Sequence, residues 1–161
     1  MGAVSHLLLQ TAPPILACMS GHLHLLKLSV GTESIDDLMH WQRQRSRQVE
    51  DGQYYHVTRM WPKREDELLD GGSIFWVIKG VILARQRIVA LKEHYREDGI
   101  RRCAICLDPE VVRVAATTKS AFQGWRYLNA CDAPADLPKG RAFEDALPPE
   151  LTRALADIGV R

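Results

Sequence analysis

Bulk charge is the first thing this chain lacks. Its 21 Lys and Arg stand against 20 Asp and Glu, a formal net charge of +1. Composition therefore announces neither nucleic acid nor an anionic membrane surface as a partner. Long apolar runs are also missing. The opening stretch, Met1 to Leu9, carries no Lys or Arg, and Gln10, Thr11 and the pair Pro13-Pro14 interrupt what apolar content follows. It is too short to cross a bilayer and lacks the basic segment of a secretory signal. Ile15-Leu16-Ala17-Cys18 faintly resembles a lipoprotein cleavage box, and the same missing basic segment counts against it. Cysteine is sparse, at positions 18, 103, 106 and 131. Disulfides need an oxidising compartment, so reduced thiols and a cytoplasmic location are expected. No nucleophile elbow, phosphate loop or dinucleotide fingerprint occurs, and nothing repeats or is of low complexity. No motif calls for a cofactor.

What is present is ordinary globular material. A chain of 161 residues with 46% hydrophobic and 25% charged residues fits one domain. A domain of that length buries roughly 70% of the surface its unfolded form exposes. Residues 1–18 are expected to be an upstream extension from a misplaced start codon or a disordered tail, because Met19 directly precedes the first regular pattern. The globular domain is expected over residues 22–161, with 1–21 outside it. Charge is unevenly spread: Trp41 to Arg102 hold 13 Lys or Arg against 9 Asp or Glu. That surplus is compatible with a basic face or with ordinary solvated charge.

The pattern reads as a strand over 22–30, then a helix from Ile35 to about Gln48. Ser34 is the N-cap and Asp37 a capping-box variant. Strands are expected over 54–61, 100–107 and 111–115, a short helix over 63–69, and a strand or tight loop over 122–128. The centre, Ser73 to Tyr95, is apolar on both faces, as in a central or barrel strand. Gly80 is expected as a bulge or sharp bend within it. A helix from Val81 remains open, because Ala84 to Arg87 tolerate one while the β-branched content argues against it. A last helix is expected from Pro148 or Pro149 to about Ile158. The resulting class is α+β: a small mixed or antiparallel curled sheet, or a β-barrel, with flanking helices.

Few residues point to chemistry. Cys103 and Cys106 are three apart in an apolar strand, so they face opposite sides and suit a structural role better than a zinc knuckle. His22 and His24 share a strand face, but nothing at helical spacing completes a metal site, and none is expected. His56 fits a general base or a packed histidine. The stronger signal is cations interleaved with aromatics. Arg59, Trp61 and Lys79 belong to it. Arg85 and Arg87 lie on one strand face roughly 7 Å apart. Trp125 and Arg126 follow Gln123-Gly124. Guanidinium to phosphate and aromatic face to base is how nucleic acids and nucleotides are held. Trp and Phe in strands are also ordinary core, and arginines between them often stack or snorkel.

The segments His24 to Leu28, His56 to Met60, Asp70 to Ile88, Gly99 to Cys103 and Phe122 to Leu128 together resemble the domain-of-unknown-function 1489 family of alphaproteobacteria. The resemblance spans about His22 to Leu137 and its long central motif is specific. It implies a bacterial cytosolic protein and supplies no mechanism. The strand pattern is also similar, at fold level alone, to the small RNA-binding barrel of pseudouridine synthases and archaeosine transglycosylases. The reading reached is an RNA- or nucleotide-binding module whose groove is lined by Arg59, Trp61, Lys79, Arg85, Arg87, Trp125 and Arg126. An enzyme acting on a small phosphorylated or nucleoside substrate, using His56 or Asp70, is the alternative. So is an interaction adaptor or homo-oligomer with an exposed aromatic patch.

Overall fold

The computed structural model describes residues 21–48, 51–139, 153–154 and 157–158. The expectations for residues 1–18 lie outside these, as does the last helix except for four of its residues. In chain order the elements are β1 (His24–Leu28), α1 (Ile35–Ser46), β2 (Tyr54–Thr58), α2 (Glu65–Leu69), β3 (Ser73–Ile78), β4 (Val81–Tyr95), β5 (Arg101–Leu107), β6 (Val112–Thr118) and β7 (Trp125–Leu128), followed by a 3-10 turn over Ala130–Asp132. The strands form one mixed sheet in the order β2-β5-β4-β3-β1-β7, with β6 also on β4. Only β1 and β3 run parallel. The sheet does not close: β2 and β7 end it and do not pair with each other. The barrel alternative is therefore not realised, and the curled mixed sheet is.

The local causes are readable. Ser34 caps α1 by accepting a bond from the Asp37 N–H at 3.1 Å, and the Asp37 carboxylate accepts from the Glu33 N–H at 3.2 Å. Ile35, Leu38, Gln42 and Ser46 face inward at helical spacing. All six residues of β3 are buried, because both faces of this strand are covered. Leu25, Ile74, Trp76, Ile88, Ile105 and Leu107 pack with Leu38 of α1 and Leu68 of α2 on one face. Leu26, Phe75, Val77, Ile82, Val114 and Leu128 fill the other. Each such side chain contributes about 1.5–3 kcal/mol by leaving water.

At Gly80 the structure corrects the sequence reading. The chain does not bulge and continue; it reverses. Lys79 and Gly80 both have positive φ, 49° and 80°, as a two-residue hairpin turn requires. Ile78 and Val81 close it as partners. β4 then runs for 15 residues, so the helix left open from Val81 is absent. The Ile88 N–H donates to Gly72 while the Arg87 C=O accepts from the Asp108 N–H, so β3 and β5 lie on opposite edges of β4. The irregularities fall at Trp76/Val77, Ile82/Ala84 and Ile88/Ala90, which is where bulges bend a long strand. Gln86 is a fully buried polar residue in this core. Gln86 exchanges bonds with Gln42 at 2.8 and 3.0 Å, accepts from Trp76 Nε1 at 2.8 Å and donates to the Asp108 C=O at 3.1 Å. This network ties α1 to the sheet.

Candidate functional site

Strand register sorts the sequence-predicted residues onto opposite faces. Arg85 partners Phe75, Arg87 partners Ser73 and Arg126 partners Leu26, so these three arginines share the Phe75 face. Trp125 partners Lys27 and packs in the helix-covered core, with Trp61 against the same core. Lys79 sits in the hairpin turn, paired with Glu33 at 3.5 Å. The seven residues do not line one groove.

Several are engaged locally. Arg85 grips Asp136 through two bonds of 2.6 Å and reaches the Ser73 hydroxyl at 3.1 Å. Those bonds to Asp136 hold its guanidinium firmly charged. Arg126 donates to the carbonyls of Gln123 and Trp125 at 3.1 Å each, blunting the free edge of β7 with its own cation. Arg87 is exposed and has no ion pair among the described residues.

Trp61 and Trp125 do come together, through the loop 59–64 between β2 and α2, on which Arg59 also lies. Trp125 Nε1 donates to the Met60 C=O at 3.2 Å, Trp61 Nε1 donates to Glu65 at 2.9 Å, and the Arg64 N–H donates to the Tyr127 hydroxyl at 3.1 Å. Three bonds thus fix a short loop to β7 and α2. On its surface the Arg101 guanidinium lies 4.8 Å from the centre of the Trp61 ring, and Arg64 lies 5.5 Å from that of Tyr127. Arg59 and Lys63 are exposed on the same loop and unpaired among the described residues. Arg64 and Arg101 also meet Glu67 at 2.5 Å and Glu93 at 2.7 Å. Both pairs are exposed, and exposed pairs are worth only about 0–1 kcal/mol.

The family model described as "Protein of unknown function (DUF1489)" matches residues 25–161. The chain belongs to the DUF1489 family. No curated protein and no solved structure matches it.

In this DUF1489 domain the other candidate groups are dispersed. The Cys103 thiol is pushed up to about 12 and the Cys106 thiol is also raised, both chiefly by burial. Neither is a ready thiolate. Cys106 lies under an open cavity of about 180 Å³ lined also by Asp51, Tyr55, Lys92 and His94. His24 accepts from the Ser73 N–H at 3.1 Å through Nδ1. Burial lowers its pKa to about 4. Asp70 is the C-terminal cap of α2, its N–H donating to the Asp66 C=O. Among the described residues no group of three His, Cys, Asp or Glu is placed to hold a metal ion, and no helix is long and apolar enough to cross a membrane.

The sequence groove omitted Lys63, Arg64, Arg101 and Tyr127. Lys63 and Arg64 adjoin Trp61 in the sequence. Tyr127 shares a strand face with Trp125 by simple alternation, so these carried a local signal. Arg101 reaches Trp61 only because β5 pairs with β2, which no local pattern encodes.

Proposed function

We propose that this domain binds RNA or nucleotides through the surface of loop 59–64, with Arg59, Lys63, Arg64 and Arg101 on phosphates and Trp61 and Tyr127 beside the bases. The observation that carries the reading is the pair of exposed guanidinium–ring contacts, Arg101 on Trp61 and Arg64 on Tyr127, flanking two unpaired cations on a pinned loop. A guanidinium on an aromatic ring presents its outer face and its remaining N–H groups to a ligand. Stacking on rings tolerates any base, and phosphate contacts tolerate any sequence, so the expected preference is for single strands with little sequence discrimination. Arg87 is a further exposed cation on the opposite face and is outside this surface.

The test is fluorescence anisotropy of a labelled single-stranded RNA with wild type and with the double variant Arg59→Ala/Lys63→Ala. Both substituted residues are exposed, so the fold should persist, which circular dichroism checks. We expect at least a tenfold loss of affinity in the double variant. Equal affinity of the two proteins would contradict the assignment.

A further inference from the structure

β4 and β5 pair beyond the end of β2. The β2–β5 ladder stops at Thr58↔Cys103, whereas β4 and β5 continue through His94↔Arg102 and Tyr95↔Arg101. Loop 59–64 leaves β2 at that same level, so the hairpin tip and the loop are neighbours. The Arg101 guanidinium joins them, 4.8 Å from the centre of the Trp61 ring. Large apolar side chains stand out into solvent on both segments: Met60, Tyr95 and Ile100 are 65%, 55% and 57% exposed. Single exposed residues of this kind are normal, but several on adjoining segments beside exposed cations mark an interaction surface.

Tyr95 is held in place. Its hydroxyl donates to the Glu93 carboxylate at 3.3 Å, and the other oxygen of that carboxylate lies 2.7 Å from Arg101 Nε. Directly opposed residues of an antiparallel pair share a face, with Cβ atoms about 4.5–5.5 Å apart, so Tyr95 and Arg101 stand side by side. β5 lies between β4 and β2 in the sheet. Arg101 therefore has Tyr95 on one side and Trp61 on the other. Strands are spaced by about 4.8 Å, which puts the two rings roughly two spacings apart. Each ring then serves a different base, with the guanidinium between them for a phosphate. Tyr95 also lines an open hollow of about 540 Å³ with His94, Arg96, Glu97 and Asp98, a size within the usual range of ligand sites. The acids of the tip do not make it negative. From Lys92 to Arg102 there are four Lys or Arg against three Asp or Glu, and Asp98 is already held by two bonds from Arg102, at 2.8 and 2.5 Å.

We propose, on the RNA reading of the loop 59–64 surface, that Tyr95 is a second base-stacking ring beside Trp61. The ligand of this surface is accordingly a single strand of at least two nucleotides, bridging loop and hairpin tip across Arg101, and not a free mononucleotide.

The test is fluorescence anisotropy of a labelled octaribonucleotide on the full chain, with unlabelled mononucleotide and octanucleotide as competitors. Wild type is compared with Tyr95→Ala, Tyr95→Phe and Arg59→Ala/Lys63→Ala. Tyr95 is exposed, so the fold should persist in both of its variants, which circular dichroism checks. Wild type is expected to bind the octanucleotide at least tenfold more tightly than the mononucleotide. Tyr95→Ala should weaken octanucleotide binding at least fivefold, because a stacked ring is lost, and Tyr95→Phe, which keeps the ring, should stay within twofold of wild type. Tyr95→Ala removes no charge, so its affinity should fall with salt at the wild-type slope, whereas the slope of Arg59→Ala/Lys63→Ala becomes shallower. Octanucleotide affinity unchanged in Tyr95→Ala but lost in Arg59→Ala/Lys63→Ala overturns the role of Tyr95 and leaves the loop surface standing. A loss in Tyr95→Phe as large as in Tyr95→Ala overturns stacking, and a mononucleotide bound as tightly as the octanucleotide overturns the bridging strand. No saturable RNA binding by wild type overturns the loop surface and Tyr95 together.

Discussion

Burying His24 and His56 as neutral rings couples stability to pH. Each has its folded-state pKa lowered to about 4 from 6.5, chiefly by burial. Below pH 6.5 the unfolded chain binds the proton first, so stability falls as pH drops from about 6.5 toward about 4 and levels off below the folded value. For the more deeply buried His56 the loss is at most about 3 kcal/mol by the 1.36 kcal/mol worth of each pKa unit. His24, more exposed, contributes less. Urea denaturation at pH 7 and pH 4.5 checks this: His56→Gln is expected to lose less stability between the two than wild type, and an equal loss would be contrary. A second prediction at this scale concerns Gln86. Gln86→Leu would strand the Gln42 amide, the Trp76 N–H and the Asp108 C=O. At about 1–3 kcal/mol for each buried unsatisfied group, partly relieved by relaxation, the expected cost is about 3 kcal/mol, read as a fall in the urea midpoint with unchanged slope.

Single elements were legible wherever the cause is local. Ser34 and Asp37 mark the start of α1, and the unbroken apolar run of Ser73–Ile78 marks a strand covered on both faces. The reversal at Lys79-Gly80 was not legible as a turn, because Lys rarely adopts the positive φ it has here. The partners of arginine were hidden for another reason. Arg85 meets Asp136, 51 positions away, and Arg101 meets Trp61 through strand pairing. Charge pairs at that separation leave no periodic trace. The joint between α2 and β3 offers a test at element scale. A methyl group on Gly72 would collide with the carbonyl oxygens of Leu68 and Leu23, both backbone atoms that cannot swing aside. Gly72→Ala is therefore expected to cost about 3 kcal/mol or more by overpacking. A thermal midpoint within 2 °C of wild type would refute that close approach.

For the whole molecule, near-zero net charge and a local surplus of cations are reconciled by where the charge lies. On loop 59–64, Arg59 and Lys63 are unpaired among the described residues, and Arg64 and Arg101 meet Glu67 and Glu93 in exposed pairs, whereas Arg85, Arg113 and Lys139 are met elsewhere by Asp136, Asp36 and Glu110. The cations and aromatics interleaved in the sequence lie together at the loop and not on β4, whose alternating arginines face away from Trp61 and Trp125. Binding through the loop surface is the account's central claim, and the salt dependence of affinity for single-stranded RNA tests it most directly. Three or four displaced phosphate counterions predict that log affinity falls with log salt at a slope of about −2 to −3, and that Arg59→Ala/Lys63→Ala makes the slope shallower by about 1 to 1.5. An affinity independent of salt, or an unchanged slope in the double variant, would contradict it.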